Sequence, residues 1–128
     1  MTTELALLAW AILLGLVHAV ATGQFTVAQH GLRYGMSPRD ENKPLTGIGA
    51  RLQRAFANYM QTFPFFAGAV LVAHVAGRHG WLTVVGAQLY FWARLVYVPL
   101  YAAGVPIFRT VAFVISVIGI ILILISLT

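Results

Sequence analysis

Four long apolar segments constrain the fold of this chain more than any other feature of its sequence. With approximate bounds, they cover residues 5–27, 52–76, 81–102 and 107–127. Since about 20 apolar residues in a helix cross the hydrocarbon core of a bilayer, each segment is long enough to span a membrane. These segments and their links fill all 128 residues, so we expect one all-α domain, an integral membrane four-helix bundle.

The composition agrees with a membrane protein and excludes several other classes. The chain is 60% hydrophobic and only 9% charged, whereas a soluble domain is about 45–50% apolar and about 25% charged. The net charge of +5 lies beside apolar segments, so membrane topology explains it better than nucleic acid does. The chain has no cysteine and its histidines lack ligand spacing, so we expect no metal site.

The distribution of basic residues predicts the orientation in the membrane. Most of them lie in or beside the link between the first two segments, namely Arg33, Arg39, Lys43, Arg51 and Arg54. Arg109 lies beside the third link, and only Arg78 lies in the second. The positive-inside rule therefore places the first and third links in the cytoplasm and both termini outside. We expect a loop over about 29–49 and a tight turn at 77–80 that makes the second and third helices an antiparallel pair.

A polar face runs along the second segment. Arg54, Asn58 and Gln61 are spaced four and three residues apart, so they share one side of a helix, and Arg51 lies one turn earlier. Polar groups within a membrane helix tend to face a bundle interior or a water-filled cavity. An alternative for both arginines, strongest for Arg51, is that they reach the lipid headgroups. Asn58 and Gln61 are too short for that and need partners.

The third segment carries a second polar stripe. Tyr90, Arg94, Tyr97 and Tyr101 follow one another at spacings of four, three and four. A position in the interfacial aromatic belt is the alternative interpretation, and it is strongest for Tyr101. The charge of Arg94 needs a partner, which Asn58, Gln61 or a bound anion can supply. Together with Arg109, both stripes predict a cationic, tyrosine-rich pocket near the cytoplasmic surface that suits a small ligand with several carboxylates.

His18 is the one titratable side chain in the first apolar segment. It shares a slightly polar stripe with Thr22, one turn later. A hydrogen bond to a neighbouring helix is the more common role of such a histidine, and we favour it over a catalytic one.

These residues resemble the MAPEG family (membrane-associated proteins in eicosanoid and glutathione metabolism) over nearly the whole chain. The resemblance is carried by Arg51-x-x-Arg54-Ala-x-x-Asn58, Phe63-Pro64, Ala93-Arg94-x-x-Tyr97-x-x-x-Tyr101 and Pro106-x-x-Arg109, while Ser37-Pro-Arg-Asp40 resembles the bacterial branch. It implies a homotrimer in the bacterial inner membrane. It also implies glutathione as co-substrate, bound between subunits near the cytoplasmic side.

The resemblance also implies roles for individual residues. The glutathione-binding set would be Arg51, Arg54, Asn58, Gln61, Arg94, Tyr97 and Tyr101. Arg109 would be catalytic, because it matches the arginine thought to stabilise the glutathione thiolate. One position departs from the family pattern: Gln61 stands where a glutamate is usual, which keeps an acceptor oxygen but loses its charge.

Two functional hypotheses of different classes follow. The preferred one is a membrane-bound, glutathione-dependent transferase or peroxidase that acts on lipophilic electrophiles. The alternative is a non-catalytic protein of the same fold that binds lipids or another ligand, and Gln61 favours it. A small transporter or channel has little support, because the chain shows no internal repeat.

Overall fold

The computed structural model describes residues 1–128 and contains only helices. They are α1 (Thr3–His30), α2 (Leu32–Met36), α3 (Gly47–Val75), α4 (Trp81–Ala102) and α5 (Pro106–Ile125). The predicted all-α class is confirmed. Two of the helices, α1 and α5, are long and apolar enough to cross a membrane.

The link between the first two apolar segments is more ordered than the predicted loop. Helix α1 continues to His30, the short helix α2 follows, and α3 already begins at Gly47. The prediction failed because the end of an apolar stretch does not end a helix when polar side chains find partners. Gln29 illustrates this: its amide donates to the carbonyl oxygen of Thr46 at 3.0 Å and accepts from the Thr46 N–H at 3.0 Å.

The closest helix pair is α4 and α5, and two glycines allow it. A Cβ atom on Gly86 would lie 2.5 Å from the carbonyl oxygen of Gly119, and a Cβ on Gly119 would lie 2.5 Å from the Gly86 oxygen. Small residues let helix backbones approach in this way, which is a common packing mode between membrane helices. The contact sets the position of α5 relative to α4.

The core lies among α1, α3, α4 and α5, and the hydroxyls of two of its tyrosines are paired within the chain. The buried ring of Tyr90 stacks on Phe66 with centroids 4.0 Å apart, and its hydroxyl lies 2.9 Å from the Thr62 hydroxyl. The Tyr59 hydroxyl donates to the Ala11 carbonyl oxygen of α1. Because a buried hydroxyl without a partner is costly, these bonds specify how the helices pack.

The two ends of the bundle differ in which segments meet there. At one end, Nδ1 of His79 in the α3–α4 turn lies 2.8 Å from a Glu4 carboxylate oxygen at the start of α1. At the other end, Arg51 of α3 bonds to Ala102 at the end of α4. The first link and the α4–α5 link therefore share this second end, as the predicted topology requires.

Candidate functional site

A cavity of about 390 Å³ opens at the bundle end where α3, α4 and α5 meet. Its volume lies in the range of small-molecule binding sites. Its lining residues are Arg54, Ala57, Asn58, Gln61, Tyr97, Tyr101, Arg109, Thr110 and Phe113. Polar side chains from three helices thus converge on one space.

The ring of Tyr101 is the centre of the charged part of the cavity. The guanidinium carbon of Arg109 lies 4.4 Å from the ring centroid, and that of Arg54 lies 5.9 Å from it. The Nε–H of Arg54 also donates to the Tyr101 hydroxyl oxygen at 3.2 Å. A cation within about 6 Å of an aromatic face is attracted to it, so one tyrosine holds both arginines at the cavity.

No carboxylate of the chain offsets these cations. The chain has three acidic residues, and none of them lines the cavity. Glu4 is buried against His79 at the opposite end, and Glu41 lies 3.5 Å from Lys43 in the exposed link. Charge-assisted hydrogen bonds from arginine to carboxylate are among the strongest in proteins. The cavity is therefore suited to an anionic ligand.

The amide side chains of α3 complete this wall. Asn58 and Gln61 line the cavity together with Arg54, as their predicted shared helix face requires. The Oδ1 atom of Asn58 is buried and has no hydrogen-bond partner. Since buried polar atoms are nearly always bonded, this oxygen is available to a donor on a ligand or on a second copy of the chain.

Arg94 does not line the cavity but lies in the core behind it. Its side chain is 1% exposed, and none of its three guanidinium nitrogens has a hydrogen-bond partner. Its guanidinium carbon lies 4.2 Å from the ring centroid of Tyr97, which does line the cavity. Neither Asn58 nor Gln61 bonds to it, so neither amide is its partner. The same carbon lies 5.5 Å from the ring centroid of Tyr59, so two tyrosine rings are the groups that the chain places against this buried charge.

Arg51 also lies outside the cavity wall, at the end of α4. Its Nη1 donates to the Ala102 carbonyl oxygen at 3.1 Å. Gly104, with φ +74°, lies directly against it, since a Cβ there would be 3.3 Å from the Arg51 guanidinium carbon. A cation at a helix C-terminus pairs with the free carbonyls and the helix dipole. Arg51 thus fixes α4 to α3 beside the cavity.

The structure supports the hydrogen-bonding interpretation of His18. The side chain is 4% exposed, and its Nε2 lies 3.0 Å from the Leu52 carbonyl oxygen of α3. His18 does not line the cavity. It links α1 to the beginning of α3, where the polar wall starts.

Three residues that line the cavity were not predicted from the sequence. Ala57 and Phe113 are small or apolar, and Thr110 directly follows Arg109. Helical spacing contained a usable indication, because Ala57 lies three residues after Arg54, and Phe113 lies four after Arg109. On α5 the cavity wall therefore extends from Arg109 to Phe113, one turn later.

Two apolar grooves flank α4 on its outer side. One, of about 620 Å³, runs between α4 and α5, and the other, of about 560 Å³, runs between α1 and α4. Both include Gln88 and Trp92, whose indole N–H donates to the Gln88 Oε1 at 2.7 Å. Their apolar lining suits acyl chains or apolar helices, in contrast to the cationic cavity.

A family comparison assigns the fold as a whole. The model of the MAPEG family matches residues 5–128. No curated protein and no solved structure matches the chain.

Proposed function

Because the chain belongs to the MAPEG family, we propose that it is a membrane-bound transferase or peroxidase that uses glutathione against lipophilic electrophiles. Membership supports a membrane protein with a glutathione-related transferase or related function in general. The observation that carries the finer proposal is the cavity in which Arg54 and Arg109 flank Tyr101 without any carboxylate.

The cavity residues divide into binding and activating groups. Arg54, Tyr97 and the Asn58 amide N–H groups are donors for the carboxylates of the peptide. Arg109 acts on the sulfur: a free thiol has a pKa of about 8.5, and a nearby cation lowers it. The thiolate then forms a bond to the electrophilic carbon, whose leaving group departs with the bonding electron pair. The thiol proton passes to solvent.

The lining residues offer partners to most of the polar groups of glutathione. The cavity volume of about 390 Å³ suits a tripeptide-sized ligand, and its carboxylates find donors in Arg54, Tyr97 and Asn58. The apolar grooves beside α4 give a lipophilic electrophile a path from the membrane. The ligand's ammonium group meets only uncharged oxygens, such as that of Gln61.

We propose a single domain with four spanning helices that assembles as a homotrimer. The exposed, aliphatic side of α5 and the apolar grooves along α4 support this assembly. A cavity bordered by exposed Arg54 and Gln61 also needs a further wall. Native mass spectrometry in mild detergent should give a trimer, and a population of only monomer or dimer would contradict the proposal.

We place this assembly in the bacterial inner membrane, with the cavity at the cytoplasmic face. The basic residues of the first link, Arg33, Arg39 and Lys43, lie at the cavity end of the bundle and support this orientation.

Gln61 supports a second candidate, a non-catalytic protein that binds lipid or another ligand. The deciding experiment measures conjugation of glutathione to a generic aromatic electrophile by the purified protein in detergent, alongside a glutathione-binding titration. Turnover by the wild type supports the enzyme. If wild type and Gln61→Glu bind no glutathione and form no conjugate, while lipid co-purifies, the binding protein is the better answer.

A further inference from the structure

The charge of the cavity restricts its ligand more than its shape does. Arg54 and Arg109 supply two cations, and Asn58 and Gln61 supply neutral amides. The buried guanidinium of Arg94 adds a third positive charge behind Tyr97. The cavity therefore has a net positive field with no internal counter-charge.

The acidic residues of the chain lie away from this cavity and do not supply its counter-charge. Glu4 is 5% exposed and is held by His79 and Thr83 at the other end of the bundle. Asp40 and Glu41 are exposed in the first link, outside the cavity lining. A second copy of the chain would bring only the same three acids.

A ligand ammonium and a ligand carboxylate therefore experience this cavity very differently. A carboxylate gains charge-assisted hydrogen bonds from arginine. An ammonium finds only neutral side-chain oxygens, such as those of Asn58 and Gln61, and is repelled by the two arginines. This repulsion grows where water is partly excluded. A carboxylate at position 61 on the α3 wall would pair with the ligand ammonium and offset this repulsion.

We propose that Gln61 determines ligand specificity, so that the cavity selects thiols with two or more anionic groups and no free ammonium. Such a ligand neutralises Arg54 and Arg109 and leaves no cation of its own unpaired. Zwitterionic glutathione is then accepted, but more weakly. The inference rests on the proposed function only in that the ligand carries a thiol. It concerns ligand binding and does not require turnover.

The test compares two ligands that differ in one charge. The purified protein in detergent is titrated by calorimetry with S-hexylglutathione and with its N-acetyl derivative. The S-hexyl group blocks the sulfur, so binding is measured without chemistry. We expect the wild type to bind the N-acetyl derivative about tenfold more tightly, equivalent to about 1.4 kcal/mol. Gln61→Glu should abolish or reverse this preference.

Matched controls separate a local effect from a change in total charge. Asp40→Asn and Glu41→Gln each alter one charge in the exposed link and should leave the ratio of the two affinities unchanged. If either control shifts the ratio as much as Gln61→Glu does, an acid of the first link faces the ligand and the inference is wrong.

Other outcomes are equally decisive. Equal affinities in the wild type, tighter binding of the unmodified amine, or no binding of either ligand would each overturn the inference, and these results need no variant to fold. The conjugation assay reports separately on the enzyme. If the protein shows the binding preference but no turnover, the proposed transferase activity is wrong and the proposed ligand specificity still holds.

Discussion

The two ends of this bundle differ in the partners that the chain gives to their charged side chains. At the end that holds the termini, the Glu4 carboxylate accepts hydrogen bonds from His79 and Thr83, so its charge is paired within the chain. At the other end, Arg54 and Arg109 contact the ring of Tyr101 but no acid. The buried carboxylate takes its hydrogen bonds from within the chain, whereas the arginines at the cationic end have no acid of the chain beside them. The difference supports the proposed ligand site at the second end.

The largest expected effect is on catalysis at the cationic end. Arg109→Ala should lower the turnover rate of conjugation by about two to three orders of magnitude, the usual cost of removing a group that stabilises developing negative charge. Glutathione affinity should fall much less, because the lost interaction is with the reacting sulfur. Steady-state kinetics on the assembled protein measure both quantities.

Arg33→Ala, which removes an exposed arginine from α2, is the matched control and should leave turnover unchanged. Wild-type turnover in the Arg109→Ala protein would end the proposed mechanism.

The next effect is on binding at the same end. Arg54→Ala removes one of the two arginines beside Tyr101, and a hydrogen bond to a charged group contributes about 1.5–3 kcal/mol. We therefore expect glutathione affinity to fall roughly ten- to a hundredfold by calorimetry. Arg54→Lys keeps the charge but loses the forked donor geometry, so its glutathione affinity should lie between those of the wild type and Arg54→Ala. Unchanged affinity would remove Arg54 from the site.

At the paired end, substitution should affect stability and not activity. Glu4→Gln keeps the shape of a buried side chain but weakens its bonds to His79 and Thr83, so we expect a loss of about 1–3 kcal/mol in stability. A thermal melt in detergent, followed by tryptophan fluorescence, measures it. Glu41→Gln removes a carboxylate from an exposed ion pair and should show almost no change.

Loss of conjugation activity in Glu4→Gln at a temperature where the protein is folded would break the distinction between the two ends.

The smallest perturbation tests which end faces the cytoplasm. The chain has no cysteine, so a single cysteine at Ser37 marks the cavity end, and one at Arg78 marks the other. A membrane-impermeant thiol reagent added from outside should label the second position and not the first. Labelling of the Ser37 position from the outside alone would reverse the orientation.

Sequence patterns predicted the polar wall of α3 well because a helix is a local structure. Arg54, Asn58 and Gln61 share one helix face by their spacing alone, and all three line the cavity. The same reasoning missed the short helix α2 and the polar ends of α1 and α3. Those helical turns depend on partners distant in sequence, such as the bond between Gln29 and Thr46.

By itself, the sequence determined the all-helical class, the membrane setting and the faces that carry polar groups, because apolar length and helical period are properties of each segment alone. Only the tertiary structure decided the separate positions of arginines that look alike in sequence. Arg54 and Arg109 lie at the cavity, Arg51 caps α4, and Arg94 is buried beside Tyr97. The reason is physical: a long side chain takes its position from the helices that pack around it, and spacing within one helix does not contain that information.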